Sequence, residues 1–329
     1  MHYIPFQKEH LSAAAALLAR QAGIFLEQFP LLPERISDQA AAHSFLSALL
    51  EKEESRGAVA MQNGNMVAYL LGSYADSIFF GRHVWVPFGG LALADQENTD
   101  VMRRVYAAAG QQWIDDRVLN HYLVCPAIPA WLQAGFSLTF GQEQAYAITS
   151  VKELRPELPA PQGIILREVL PSDADQLHSN GHWIAAHLNT APVWEPVPQQ
   201  HLDNILPEYA KLADDLTSTT WVAVDGDQIV AYVVIYTADT CPEHLLGVST
   251  AAHFAAAATH PQYRNRGIGK ALYTHILNVA QQQGYHTIFT EWRTTNLPTA
   301  DYWPGYGFEP FAYRLLRRVN PIYEPYQIK

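Results

Sequence analysis

HFAAAATHPQYRNRGIGKALYTHILNVAQQQGYHTIFTEW, residues 253–292, carries the strand, loop and helix on which the fold turns. After its paired glycines, Ile268, Ala271, Leu272, Ile276, Val279 and Ala280 recur at helical spacing, and Gly284 stands where a helix is expected to end. YHTIFTEW then reads as a strand, so RNRGIG lies in a loop entering a helix. Gly267 and Gly269 let the backbone approach a ligand. The first N–H groups of the helix have no partner within it, and its positive dipole end favours an anion. Arg264, Arg266 and Lys270 add positive charge at the same place. A pyrophosphate needs that construction. GxxxxGK[ST] and GxGxxG are both missing, so this is neither a nucleoside-triphosphate loop nor a dinucleotide fingerprint. The structural alternative is a basic turn that caps an amphipathic helix.

Outward from this stretch, the chain repeats itself. AVAMQNGNMVAYLL (58–71) aligns with WVAVDGDQIVAYVV (221–234), so that Val59, Ala60, Val67, Ala68 and Tyr69 match Val222, Ala223, Val230, Ala231 and Tyr232. Each segment reads as a β-hairpin about a turn, Asn63 with Gly64 and Asp225 with Gly226. WLQAGF (131–136) is echoed by WPGYGF (303–308) in the same order after the hairpin. Two ordered matches favour duplication over a chance hairpin. Each half also opens alike, on a β-like run (HYIPF; IILREV) and then a helical segment (EHLSAAAALLARQ; SDADQLHSNGHWIAAHL), with Ser172 and Asp173 as N-cap candidates for the second. Pro156, Pro159 and Pro161 make the stretch between the halves a semi-rigid connector. The expected domains are 1–157 and 158–329, each an α/β (α+β) arrangement of a sheet with helices.

Composition narrows the function. At 329 residues, 49% apolar and 16% charged, the chain can bury two ordinary cores. A net charge of −11 without a Lys/Arg cluster argues against nucleic acid. The N-terminal MHYIPFQKEH has no apolar signal core and no membrane-length apolar run follows, so a cytoplasmic location with no membrane partner is the expectation. Cys125 and Cys241 stand apart, each before proline, which leaves no CxxC pair or thiolate metal cluster. The 14 histidines contain no HExxH, and no metal is expected.

PQYRNRGIGKAL (261–272) resembles the central CoA-binding motif of the GNAT superfamily of N-acetyltransferases, R/QxxGxG/A, with Arg264, Gly267 and Gly269 in its defined positions. NLPTADYWPGYGF (296–308) resembles that family's next motif, where an asparagine precedes an aromatic residue and a terminal GF. The resemblance spans roughly Ile164 to Val319, and the first half only through its hairpin and WxxxGF. It implies two tandem GNAT-like domains, each a mixed twisted sheet flanked by helices. In the first copy GGLALADQENTD (89–100) stands where the phosphate loop belongs, and Asp95 and Glu97 would repel a pyrophosphate. That copy is expected to be degenerate.

What the resemblance implies for chemistry is acetyl transfer from acetyl-CoA, as co-substrate, to an amine of a small molecule or peptide. The reaction needs a neutral nucleophile, carbonyl polarisation and a proton for the leaving thiolate. Cofactor contacts carried over are the main chains of Ala257 and Thr259, the loop residues Arg264, Arg266, Gly267, Ile268, Gly269 and Lys270, and the side chain of Asn296. The strand His253–Thr259 rests on the resemblance, since AAAA favours helix. The family's general-base position falls on His253, with Glu291 on the next strand as the alternative. The family's acid tyrosine is replaced by Trp303, whose indole N–H is no such acid. Tyr302, Tyr306 or solvent would have to serve. The motif region holds no cysteine, so direct transfer in a ternary complex is expected. Trp183, His187 and Trp194 are candidates for an acceptor pocket formed by 178–195 and 237–249, or for core. The rival readings are a noncatalytic acyl-CoA-binding regulatory protein and an interaction module.

Overall fold

The computed structural model describes residues 1–95, 98–238 and 244–322. By contact the chain forms two compact units: Met1–Tyr146 with Thr240–Gly247 and Pro310–Lys329, and Ala147–Asp239 with Val248–Glu309.

In the first unit the order is β1 (His2–Pro5), α1 (Leu11–Gln28), α2 (Gln39–Glu51), β2 (Arg56–Gln62), β3 (Asn65–Ser77), β4 (Gly81–Val86) and β5 (Leu91–Leu93). It continues through α3 (Thr99–Asp115), β6 (Asn120–Pro126), α4 (Pro129–Ser137) and β7 (Gly141–Ser150), along which the chain leaves the unit at Tyr146. The second half of the chain follows a similar order with one more helix and one fewer strand: β8 (Ile164–Glu168), α5 (Ala174–Asn180), α6 (Trp183–Leu188), α7 (Gln199–Lys211), β9 (Ser218–Asp225) and β10 (Gln228–Thr237). β11 (Ala251–Thr259), α8 (Ile268–Gln282), β12 (Thr287–Arg293), α9 (Leu297–Tyr302) and β13 (Glu309–Arg318) follow. Strand neighbours run β1-β2-β3-β4-β6-β13 in the first unit, with β5 on β3, and β12-β11-β10-β9-β8 in the second.

Both hairpins form. Gln62 faces Asn65 across Asn63 and Gly64, whose φ of 51° and 80° give the turn that suits a right-twisted ribbon. In the second, Asp225 faces Gln228, so the turn centres on Gly226 and Asp227, one residue later than the sequence suggests. The connector, 151–163, contains no helix or strand. It is nonetheless anchored: buried Asn278 of α8 accepts from the Arg155 N–H at 2.8 Å and donates to its carbonyl at 2.9 Å. Contact therefore groups 147–157 with the second unit. The antiparallel pairing of Ala312–Arg318 with Asn120–Pro126 of β6 groups 310–329 with the first. Those limits differ from a cut at 157/158 because strand pairing, not chain order, sets them.

Three local expectations are corrected. The segment 172–188 is two helices, not one, with Gly181 between them at a point where a side chain would meet the Tyr209 ring at 2.7 Å. Asp173 is not an ordinary N-cap. It ends a 3₁₀ turn, accepts from the Leu170 N–H and pairs with Arg167 at 2.6 Å. The WxxxGF echo is imperfect in space, since Phe308 is 1% exposed while Phe136 on α4 is 40% exposed.

The core that positions the site lies under the β9–β10–β11 face, where Leu177, Trp183, Leu212, Val222, Val224, Tyr232 and Val234 pack together with Ala256 and Ala258 against them. On the other face α8 buries Ile268, Ala271, Leu272, Tyr273, Ile276, Leu277 and Ala280. Each large apolar side chain so buried contributes about 1.5–3 kcal/mol. The helix closes as expected on Gly284 (φ 87°), with Gly284 N–H on the Gln281 carbonyl and Tyr285 N–H on the Ala280 carbonyl.

Candidate functional site

β11 overrides the helical propensity of its alanines because both neighbours pair with it. Against β10 it is antiparallel, with a bulge that leaves Ala255 without an opposite residue between Val234↔Ala256 and Ile235↔Phe254. Against β12 it is parallel only at Ala251↔Thr287, Ala252↔Ile288 and His253↔Phe289. Beyond His253 the two strands part. The His260 N–H bonds the Val230 carbonyl on β10. By strand alternation Ala258 and Ala256 also turn their main chains to β10, while Ala257 and Thr259 turn theirs to the side where β12 has departed. Unpaired strand N–H and C=O groups are strong ligands for an amide chain.

At the end of β11 the chain rises through a 3₁₀ turn into α8. Asn265 (φ 62°) and Gly267 (φ 85°) both adopt the left-handed region, which reverses the chain so that Gly267 becomes the helix N-cap without a capping side chain. Nothing crowds Gly267; its requirement is the dihedral. Gly269 sits closely against its neighbours: a Cβ there would stand 3.3 Å from the Thr259 hydroxyl, a tight contact, and 3.7 Å from the Tyr302 hydroxyl, an ordinary one. Ala271 makes the first intrahelical bond, to the Gly267 carbonyl, which leaves the N–H groups of Ile268, Gly269 and Lys270 unpaired within the helix. Arg264 donates through Nε to the Thr259 carbonyl at 3.2 Å and Arg266 lies over the Tyr263 ring at 4.8 Å. Orphan amides, a helix dipole and three exposed cations converge on one concave loop.

At the opposite end of β11, His253 Nε2 and Glu291 Oε2 are 2.6 Å apart, the two side chains 37% and 34% exposed. Burial pulls the His253 pKa down, but the hydrogen bond and charge of Glu291 outweigh it, and the net shift is upward from 6.5. The two candidate bases are thus one unit, joined where β11 and β12 last pair. Two residues further along β12, Arg293 makes a bidentate ion pair with Glu195.

The Tyr302 hydroxyl is not part of that unit. It faces Gly269 and Thr259, six residues along β11 from His253. Burial, and secondarily a hydrogen bond that it donates to the Tyr306 hydroxyl, hold its phenol far above the ordinary value. Trp303 packs on Phe254, Tyr273 and Phe308. Asn296 is buried, and its Oδ1 lies 3.1 Å from His187 Nε2 on α6. Trp183 belongs to the core, whereas Trp194 is 69% exposed. Residues 239–243 of the 237–249 loop lie outside the described residues. What sequence reasoning missed is the Glu195–Arg293 pair, whose partners are far apart in the chain and carry no spacing signal.

In the first unit the corresponding loop is shorter. Leu93 pairs with Ala68 as Thr259 pairs with Ala231, and α3 begins at Thr99 whereas α8 begins at Ile268. The Leu93 carbonyl accepts from buried Gln21. Asp95 lies in this loop, while Glu97 lies outside the described residues. Among the described residues no helix is long and apolar enough to cross a membrane, and no cluster of three metal-ligating side chains occurs.

Residues 184–308 match the model of the acetyltransferase (GNAT) family. No curated protein sequence matches the chain. Among solved structures, a GCN5-related N-acetyltransferase from Sphaerobacter thermophilus is similar over 97% of this chain and 96% of its own, with a TM-score of 0.63 and 14% identity. A tandem GNAT protein from the clavulanic acid biosynthesis pathway is similar over 98% and 99%, with a TM-score of 0.54 and 12% identity. A glucosamine N-acetyltransferase region of a fungal multi-domain β-N-acetylglucosaminidase is similar over 96% of this chain and 38% of its own, with a TM-score of 0.53 and 14% identity. Residues 184–308 thus form a GNAT-family domain, and the whole chain has the fold of tandem GNAT proteins. Acyl transfer is the chemistry of that family.

Proposed function

We propose that the chain is an N-acetyltransferase whose second unit transfers acetyl from acetyl-CoA to an amine of a small molecule or peptide, by direct attack in a ternary complex. The observation that carries this reading is the loop of Arg264 to Lys270, where Gly267 at φ 85° opens α8 with orphan amides among three exposed cations. Arg264, Arg266, Ile268 and Lys270 hold the diphosphate with those glycines. The main chains of Ala257 and Thr259, which turn away from β10, bind the pantetheine amides, the Thr259 carbonyl being held by Arg264, and Asn296 is assigned to the same donor. The cradle fits such a donor because its anion end and its amide-binding strand edge are contiguous.

Near the parting of the strands, His253 acts as general base. Glu291 accepts the Nε2 proton, which leaves the Nδ1 lone pair to take the proton of the attacking amine. The nitrogen bonds the acetyl carbon, the C–S bond breaks with its electron pair going to sulfur, and the thiolate takes a proton from solvent. Tyr302 stands at the phosphate end and is assigned to donor binding rather than to that protonation. The first unit, with its shorter loop, is a degenerate copy that does not hold CoA in this way.

Amine-dependent release of free thiol from acetyl-CoA, measured against a panel of small-molecule and peptide amines, tests the reading. Release that His253→Ala abolishes is expected. Trp303 in the family's acid position favours one second reading, a noncatalytic acyl-CoA sensor, which predicts donor binding with no release from any amine.

A further inference from the structure

Arg155 lies in the connector, in no helix or strand, yet both its main chain and its side chain are fixed. The Asn278 side chain of α8 pairs with its N–H and its carbonyl as a neighbouring strand would, and the amide of Asn278 also donates to Glu157 at 3.0 Å. Asn278 is buried, and a buried amide is stable only when so satisfied. Held in this way, the Arg155 guanidinium donates through Nη1 to the Tyr306 carbonyl at 2.7 Å and through Nη2 to the hydroxyl of buried Thr149 at 3.3 Å. Among the described residues no carboxylate pairs with it. A half-buried cation without an anion is held in place by what it donates to.

The Tyr306 carbonyl ends the 3₁₀ turn Pro304–Tyr306, immediately before Gly307 swings to φ 80°. A turn that short leaves such a carbonyl without a partner of its own, so the guanidinium supplies one and fixes the turn. From there the contacts run to the phosphate loop. The Tyr306 ring lies against those of Tyr273 and Tyr302, with centroids 4.5 and 4.7 Å away, and its hydroxyl accepts from the Tyr302 hydroxyl. That hydroxyl in turn faces Gly269. We propose that Arg155 is a positioning residue of the donor site: by holding the Tyr306–Gly307 turn it sets the Tyr302 hydroxyl against the phosphate loop, so that donor affinity depends on a side chain of the connector. The inference rests on the acetyl-CoA reading.

Arg155→Met keeps the length of the side chain and removes its donors. In the full chain, with folding checked by thermal unfolding, the Kd for acetyl-CoA by calorimetry and the KM by thiol release are expected to rise about three- to tenfold, the effect of a residue acting through a neighbour. The kcat, the acceptor KM and the pH profile stay as in wild type. In a Tyr302→Phe background, where the last hydroxyl of the series is gone, Arg155→Met should add no further loss of donor affinity. Unchanged donor affinity in a variant whose Tm has fallen, or a loss of equal size with and without the Tyr302 hydroxyl, overturns the inference and leaves the acetyl-CoA reading standing. If Arg155→Met does not fold, Tyr306→Phe removes the acceptor of the Tyr302 hydroxyl and leaves the Arg155 bond in place: weakened donor binding is expected, and unchanged binding overturns the inference. A wild type that binds no acetyl-CoA overturns both.

Discussion

Replacing Glu291 by glutamine keeps the shape of the His253 contact and removes its charge. A charge-assisted hydrogen bond is worth about 1.5–3 kcal/mol when shielded, and side chains exposed by 37% and 34% retain only part of that. With that charge gone, the His253 pKa falls in the variant. The sign follows from the opposing causes: Glu291 raises the value, burial lowers it, and the substitution leaves burial in control. In wild type the acid limb of kcat/KM, read by thiol release at saturating acetyl-CoA, should therefore have its midpoint above 6.5. In Glu291→Gln that midpoint moves to lower pH and the plateau drops, because the weaker base is also less well oriented. A limb that stays in place or moves upward refutes the pairing of these residues in catalysis. The pair also contributes to stability. Since His253 is raised in the folded state, that contribution is fully present below 6.5 and is lost as pH rises through the folded value.

Gly267→Ala places a side chain at φ 85° with no clash, so strain alone should cost about 1 kcal/mol, read as a lower Tm, and weaken acetyl-CoA binding. Gly269→Val brings methyl groups against the Thr259 and Tyr302 hydroxyls, and donor affinity measured by calorimetry should fall at least about tenfold with far-UV dichroism unchanged. Tyr302→Phe should raise KM for acetyl-CoA and leave the pH profile unmoved; a shifted profile would return it to the proton-transfer machinery. Asp173→Asn loses the Arg167 pair and should destabilise by about 1–3 kcal/mol in urea at neutral pH. Arg167 first, and the Leu170 N–H, lower the Asp173 pKa, so this contribution exists above 3.8 and disappears as pH falls through the folded value.

Much of this was legible because it is local. The Asn63–Gly64 turn, the amphipathic face of α8 and its closure on Gly284 follow from dihedral preference and periodicity within a few residues. The phosphate loop was legible for the same reason, as two glycines and three cations lie within seven positions. The strand character of Ala255–Ala258 was not, since propensity points to helix and only pairing with β10 reverses it. The close approach of Tyr209 to Gly181 depends on α7, the bond of His253 with Glu291 on the register of two parallel strands, and the grouping of 310–329 on a pairing with β6. Such contacts join residues tens to hundreds of positions apart, and no short pattern encodes them. The distance of Tyr302 from the base belongs to this group too: sequence placed it near the family's acid position, and the packing of α9 turned its hydroxyl to the phosphate loop.

The central claim is that this loop holds the diphosphate of acetyl-CoA, and calorimetric titration of acetyl-CoA into wild type and a Gly267→Glu, Gly269→Glu variant tests it most directly. Saturable binding by wild type at one site, lost in a variant that still unfolds cooperatively, is the result expected. Binding that persists with two carboxylates in the cradle, or a wild type that binds no acetyl-CoA, would contradict the claim.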